Sequence, residues 1–167
     1  MTVMDAIKNG VNELAKVFNS PVAENEDGTA FAFMTPQGLS LIGVSQWYAD
    51  DGYIGIRWRI LIGQITPGFD YREAMKINHA YPESPYGVFI VDGKEILTNV
   101  VTYRFLLSWG LDSIERTIKI RFGGALSVHL ALKGILPIHS EFLVNILEKE
   151  GFDRLLSIHE KKSAWVK

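Results

Sequence analysis

The chain has no cysteine among its 167 residues. This absence excludes disulfides, thiolate metal sites and cysteine nucleophiles. No apolar run approaches the roughly 20 residues of a membrane-spanning helix, and the N-terminal segment lacks the unbroken apolar centre of a signal peptide. We therefore expect a cytoplasmic protein with no membrane partner.

The chain also has little net charge, since its formal net charge is −2 at pH 7. The chain therefore has no basic excess that would draw it onto nucleic acid. Apolar residues make up 47% and charged residues 22% of the sequence, as is usual in globular domains. We expect one α+β domain that spans residues 1–167.

The first half of the sequence predicts a helix and three strands. Apolar residues recur at helical spacing after a candidate N-cap at Thr2, and they are Val3, Ile7, Val11, Leu14 and Phe18. Three strand-like runs follow, joined by short turns: Thr29–Thr35, Leu39–Tyr48 and Tyr53–Ile62. Short turns between consecutive strands indicate an antiparallel meander.

The second half predicts a connecting helix, a β-hairpin and C-terminal helices. Asp70 is placed to cap a helix that extends to about Ala80. Strands Tyr86–Val91 and Lys94–Leu107 flank Asp92-Gly93, a strong hairpin signal. Helical spacing resumes at Leu111 and again after Ser140, and these helices are expected to pack on the sheet. We expect one sheet built from the meander and the hairpin together.

The two faces of the predicted strands differ in polarity. In the third strand, alternation places Trp58 with the isoleucines on one face and Arg57 and Arg59 on the other, which is expected to be largely wet. In the first strand both faces are apolar: Phe31 and Phe33 on one, Ala30, Ala32 and Met34 on the other. Such strands need cover on both sides. The C-terminal helices, a second subunit or a bound chain could supply it.

The sequence shows no recognisable catalytic or metal-binding motif. Its four histidines, His79, His129, His139 and His159, lack the i, i+4 spacing of a helical zinc site. The acidic clusters at Glu24–Asp27 and Asp50-Asp51 lie beside glycine and suit turns better than a calcium loop. Phosphate-binding glycine loops and nucleophile elbows are missing as well. We therefore expect no enzyme activity, no metal and no cofactor.

Arginine and aromatic residues supply the candidate binding surface. Arg57 and Arg59 flank Trp58, but a regular strand directs Trp58 away from them. Nucleic acid needs the aromatic ring and the cations on one face, so we expect no nucleic-acid partner. The candidates for a binding surface are Phe31, Phe33, Trp47, Arg57, Arg59 and Tyr103.

The order helix, three strands, helix, two strands, helix resembles the type III secretion chaperone-like fold. Within that fold the chain looks most similar to the YbjN-like group of small bacterial proteins. The likeness rests on the helix Asp70–Ala80, the stretch Tyr86-Gly-Val-Phe-Ile-Val-Asp-Gly-Lys-Glu95, the long strand to Leu107 and the helix opened by Leu111-Asp112-Ser113. It implies a small, often dimeric, non-enzymatic protein that holds a partner polypeptide.

Three hypotheses for the function follow. The first is a protein-binding or chaperone-like module that forms a homodimer, in line with the two-sided apolar strands. The second is a small-molecule binder or enzyme with a pocket between sheet and helices, whose polar candidates are Arg57, Asn99, Tyr103 and His129. The third is an immunity-type protein that binds a toxin, which the residues do not separate from the first.

Overall fold

A computed structural model describes residues 2–35, 38–45, 52–82, 85–122 and 138–139, together with positions 151 and 154. Over these residues the protein mixes helices with an antiparallel sheet, so the predicted α+β class is confirmed. The helices are α1 (Val3–Val17), α2 (Tyr71–Ala80) and α3 (Leu111–Thr117). A 3₁₀ turn, Leu107–Trp109, precedes α3, and a π-helical turn, Ile118–Phe122, follows it. The strands are β1 (Ala23–Glu24), β2 (Ala30–Thr35), β3 (Gly38–Ser45), β4 (Tyr53–Ile65), β5 (Tyr86–Val91), β6 (Lys94–Leu106) and β7 (Ile138–His139).

The strands form one sheet in the order β1-β2-β3-β4-β6-β5, and every described pairing is antiparallel. Strand β4 lies at the centre and pairs with both β3 and β6. The register between β4 and β6 shifts at Leu61–Gly63, which marks a β-bulge. Beyond this bulge the short strand β7 pairs with Gln64 and Ile65 of β4. Neither β1 nor β7 was predicted from the sequence.

Helix α1 begins with a capping box at Thr2. The Thr2 hydroxyl accepts from the Asp5 N–H, while the Thr2 N–H donates to the Asp5 carboxylate. At Gly10 the helix passes so close to Ile118 that a Cβ there would lie 3.1 Å from the Ile118 Cβ. Glycine weakens a helix by about 1 kcal/mol relative to alanine, and here it permits the close contact between α1 and the π-helical turn.

The first face of the sheet packs against α1, α3 and the π-helical turn. Trp58 lies at the middle of this layer and is fully buried. Its ring centroid is 4.6 Å from that of Phe122, in an edge-on arrangement at 71°. The buried sheet residues of the layer are Phe31, Phe33, Ile42, Ile54, Ile56, Trp58, Ile60, Val101 and Phe105. Alternation in β4 therefore predicted its core side correctly.

The second face of the sheet is also buried within the single chain. Its buried apolar residues are Ala30, Ala32, Leu39, Leu41, Leu61, Phe89, Val91 and Ile96. Ala32 and Leu41 are 0% exposed, so no second subunit or bound chain is needed to cover them. The two-sided apolar strands thus lose their value as evidence for a partner.

The expectation that the arginine-bearing face is largely wet was wrong for Arg59. This side chain is 8% exposed, and its guanidinium carbon lies 4.3 Å from the centroid of the Phe89 ring. Burial, together with the neighbouring charge of Arg57, lowers the pKa of Arg59 to about 10. Alternation identifies which residues share a face, but what covers that face depends on the rest of the chain.

Several predictions fall outside the described residues. They concern Trp47, His129, His159 and the helix that was expected to open at Ser140. Two isolated described positions near the C-terminus are Gly151 and Arg154. Arg154 donates to the Asp92 carboxylate at 2.7 Å, which links this part of the chain to the turn between β5 and β6.

Candidate functional site

The aromatic candidates Phe31 and Phe33 do not lie on the surface. They are 1% and 0% exposed and belong to the layer between the sheet and α1. Their assignment to a binding surface is therefore wrong. Both point toward the same face as Trp58, and the first-face helices cover that face within the chain.

Arg57 and Tyr103 are more accessible, but they lie on opposite faces of the sheet. Arg57 pairs with Thr102 across β4 and β6, whereas Tyr103 pairs with Ile56 on the first face. Tyr103 is half-buried beside Phe105, and the Arg121 guanidinium lies 5.4 Å from its ring centroid. The sequence candidates that the structure describes thus form no common surface.

The residues proposed for a small-molecule pocket are also separated. Asn99 is 1% exposed, and its Nδ2 donates to the carbonyl of Pro85 at 3.1 Å. Asn99 and Tyr103 face α1 and α2, whereas Arg57 faces the other way. The three described candidates therefore converge on no cavity.

A shallow cleft of about 560 Å³ lies between α1 and α3, and its lining is mostly polar. Two of its lining residues form an ion pair with each other, in which Lys16 Nζ lies 2.6 Å from Glu13 Oε1. Ligand pockets are usually apolar with a few converging polar groups. The mostly polar lining of this cleft therefore does not resemble a typical ligand pocket. Among the described residues, no three histidine or acidic side chains come together in a way that could hold a metal ion.

The feature that remains is the outer edge of the sheet, at strand β5. Strand β5 is the last strand in the sheet order, and among the described residues it pairs with β6 on one side only. The Val100 N–H donates to the carbonyl of Pro85, so the backbone of Pro85 faces β6. Alternation along an antiparallel strand then directs the backbone groups of Gly87, Phe89 and Val91 toward β6, and those of Tyr86, Val88 and Ile90 away from it.

The hydrogen bonds of Tyr86 agree with this assignment. The Tyr86 N–H donates to Asn78 Oδ1 at 2.6 Å, and the Tyr86 carbonyl accepts from Asn78 Nδ2 at 3.0 Å. One amide side chain of α2 thus closes this end of the strand. At the other end Asp92 and Gly93 turn the chain with positive φ values of 49° and 76°. The free β5 edge, defined as the outward N–H and C=O groups of Val88 and Ile90, lies between these two ends.

Helix α2 packs on β5 and β6 and runs in the opposite direction to β5. At its start, the Tyr71 hydroxyl donates to the carboxylate of Glu95, the cross-strand partner of Ile90. At its end, the Asn78 side chain donates a hydrogen bond to the carbonyl of Tyr86. Met75 lies between these anchors, four residues after Tyr71 and three before Asn78, on the same side of the helix.

Exposed apolar side chains follow both elements. Tyr71 and Met75 on α2 are 48% and 71% exposed, and Val88 and Ile90 on β5 are 47% and 58% exposed. We call these four residues the α2–β5 surface. An exposed apolar strand edge is a site at which proteins pair with another chain, unless charges or a bulge protect it. The free β5 edge and the α2–β5 surface together are therefore the candidate functional site.

Replacing Asn78 with alanine is expected to destabilise the fold by about 1–2 kcal/mol. The substitution leaves the Tyr86 N–H and carbonyl without their side-chain partner in a partly buried position, and such a loss has about this magnitude. Urea unfolding followed by circular dichroism measures the change.

Lys76→Ala is the matched control for this prediction, because Lys76 is an exposed residue of the same helix. Its ion pair with Glu73 is solvent-exposed, and such pairs contribute about 0–1 kcal/mol. Equal midpoints for the two variants would contradict the structural role assigned to Asn78.

Sequence reasoning missed this site, although a signal was present. The hairpin predicted at Asp92-Gly93 has two arms, and only one of them can pair with the meander if a single sheet forms. The stretch Tyr86–Val91 was the shorter arm and the more apolar one. Its place at the edge follows from the sheet order, which the sequence pattern leaves open.

No protein-family model and no curated protein matches the chain. Among the described helices, none combines the length and apolar character needed to cross a membrane.

Proposed function

We propose that the chain is a non-enzymatic protein-binding module that takes up an extended segment of polypeptide along the free β5 edge. The observation that carries this proposal is the coincidence of outward backbone groups at Val88 and Ile90 with the exposed α2–β5 surface. Strand addition of this kind uses main-chain hydrogen bonds for affinity and alternate side chains for specificity.

The chemistry of the site suits a backbone ligand better than a small molecule. Val88 and Ile90 each present one donor and one acceptor, spaced two residues apart along a strand. A second extended chain repeats its own donors and acceptors at the same interval. Side chains of that chain that point toward α2 would meet Tyr71 and Met75, whose burial adds about 25 cal/mol per Å² of apolar surface.

The separation of the polar candidates favours binding over catalysis. Arg57 lies on the second face, away from Asn99 and Tyr103. The small-molecule alternative requires these groups to converge, so it receives no support from the described residues. The order of helices and strands is compatible with the type III secretion chaperone-like resemblance, and we include a chaperone-like role in the proposal on that basis.

A proline substitution at the free edge tests the proposed function. The N–H of Val88 points away from β6, so Val88→Pro removes an edge donor without breaking a hydrogen bond of the β5–β6 ladder. Val88→Thr keeps the N–H and the β-branched shape, which makes it the matched control. The probe is a library of random 12-residue peptides displayed on phage and selected on the unmodified protein.

We expect the selection to enrich peptides with apolar residues at alternate positions. Their affinity should fall at least tenfold on Val88→Pro and by less than threefold on Val88→Thr. Both variants should retain the circular dichroism spectrum of the unmodified chain. Selected peptides that bind Val88→Pro as tightly as the unmodified protein, or a selection that enriches nothing, would refute the uptake of a peptide segment at β5.

A further inference from the structure

We infer that a second copy of this chain is a partner of the free β5 edge, and that the two copies pair antiparallel about a two-fold axis at Phe89. The inference rests on the proposed function, because it names one occupant for the same edge. In this register Val88 of one copy lies opposite Ile90 of the second copy, and Ile90 lies opposite the second copy's Val88. Such pairing extends the sheet across both molecules.

The backbone permits this register because the free edge is itself symmetric. Two outward residues, Val88 and Ile90, flank the inward-facing Phe89. In an antiparallel sheet, two outward residues opposite each other exchange both of their hydrogen bonds. The pairs Val88–Ile90 and Ile90–Val88 therefore give four hydrogen bonds, which satisfy every outward backbone group of the two edges.

The ends of the free edge limit the pairing to this segment. The backbone N–H and carbonyl of Tyr86 both form hydrogen bonds with the Asn78 side chain, so they cannot pair with a second strand. On the other side Asp92 and Gly93 turn away into the hairpin. If the register shifts by two residues, one outward residue of each copy lies opposite Tyr86 or the hairpin turn of the other copy. Neither can accept the pairing, so two of the four hydrogen bonds between the copies are lost. The symmetric register is thus the one that uses the whole edge.

The exposed side chains favour the same arrangement. Val88 and Ile90 are about half exposed in the single chain. Val88 pairs with Leu97, which packs against α2, so both side chains lie on the face that carries α2. Two-fold pairing brings four β-branched side chains together, where cross-strand apolar contacts stabilise a sheet. The exposed Met75 and Tyr71 flank this cluster from α2 of each copy.

The charges around the edge favour a second copy over a strongly charged partner. The residues on α2 and its cap, the hairpin turn and the start of β6 are nearly balanced in sign: acidic Asp70, Glu73, Asp92 and Glu95, and basic Arg72, Lys76 and Lys94, while Arg154 pairs with Asp92. A balanced rim produces little repulsion between identical surfaces, and it offers no steering field to a polyanion or a polycation. Closed two-fold dimers also remove the exposed edge.

The first experiment measures the oligomeric state of the full chain by light scattering after size exclusion at micromolar concentration. We expect twice the chain mass for the unmodified protein and for Val88→Thr, and the mass of a single chain for Val88→Pro. A dimer that persists in Val88→Pro would overturn this inference, and so would an unmodified protein that stays monomeric throughout the concentration range.

The second experiment tests the register by cross-linking, which is simple here because the chain has no native cysteine. Val88→Cys and Ile90→Cys are prepared separately, mixed and treated with a bifunctional thiol reagent that spans about 5 Å. Directly opposed Cβ atoms lie about 4.5–5.5 Å apart and diagonal ones about 7–8 Å apart. We therefore expect cross-linked dimer mainly in the mixture, and little with either variant alone.

The two proposals can fail separately. If selected peptides bind in a manner sensitive to Val88→Pro while the chain stays monomeric, the self-pairing is refuted and the binding function stands. If cross-links form equally in each single variant, the two-fold register about Phe89 is refuted. If neither peptides nor a second copy respond to Val88→Pro, both proposals are refuted.

Discussion

Replacing Trp58 with alanine is expected to lower the free energy of unfolding by about 3–5 kcal/mol. Trp58 is among the largest side chains that the chain buries completely, and it lies between the sheet and the π-helical turn. Its loss removes the edge-on contact with Phe122 and the contact with Phe33, whose ring centroid is 6.3 Å away. Urea unfolding monitored by far-ultraviolet circular dichroism measures the change.

Trp58→Phe separates ring volume from the indole N–H. The Trp58 Nε1 is buried and finds no hydrogen-bond partner within the described part of the chain. An unsatisfied buried donor costs about 1–3 kcal/mol, so its removal offsets part of the cavity that phenylalanine leaves. We expect Trp58→Phe to retain most of the stability that Trp58→Ala loses. A loss of less than 1 kcal/mol in Trp58→Ala would contradict the position of Trp58 in the core.

Replacing Gly38 with alanine is the second large effect, with an expected loss of about 3 kcal/mol. Gly38 begins β3 with φ +155°, and a Cβ at this position would collide with the backbone carbonyl oxygen of Leu61. Backbone cannot move aside as a flexible side chain can, so β3 or β4 must shift at the point where the Leu61–Gly63 bulge lies. Thermal and urea unfolding should both report the loss.

Gly87→Ala is the matched control for Gly38→Ala, since both glycines lie in strands. A Cβ at Gly87 would meet only the Thr98 hydroxyl, at an ordinary distance of 3.7 Å. We expect Gly87→Ala to change the stability by less than about 1 kcal/mol. Equal losses in the two variants would show that glycine in a strand, rather than the contact with Leu61, determines the effect.

Local patterns predicted the helices and strands well where the residues themselves carry the signal. Asp70 does cap α2, with its carboxylate accepting from the N–H groups of Arg72 and Glu73. Asp92-Gly93 does form the two-residue turn, because aspartate and glycine tolerate the positive φ that the turn requires. These signals act over two to four residues and need no knowledge of the fold.

Properties set by distant parts of the chain were not predictable in this way. Arg59 occupies the polar side of an alternating strand, yet it is buried because the second face is covered. The two-residue strand β7 pairs with Gln64 and Ile65, and nothing in its own residues indicates a strand. Exposure of Val88 and Ile90 likewise depends on the sheet order, which the apolar pattern of the shorter hairpin arm does not determine.

The pairing of β7 with β4 has a consequence for synthesis of the protein. His139 lies opposite Gln64, so the sheet edge beside β3 cannot be completed until 75 further residues have been made. At about 5–20 residues per second, translation of that interval takes about 4–15 s. During this time β2, β3 and β4 can already pair. The backbone groups of Gln64 and Ile65 that later bind β7 stay unpaired on the nascent chain, where chaperones and neighbouring nascent chains can bind them.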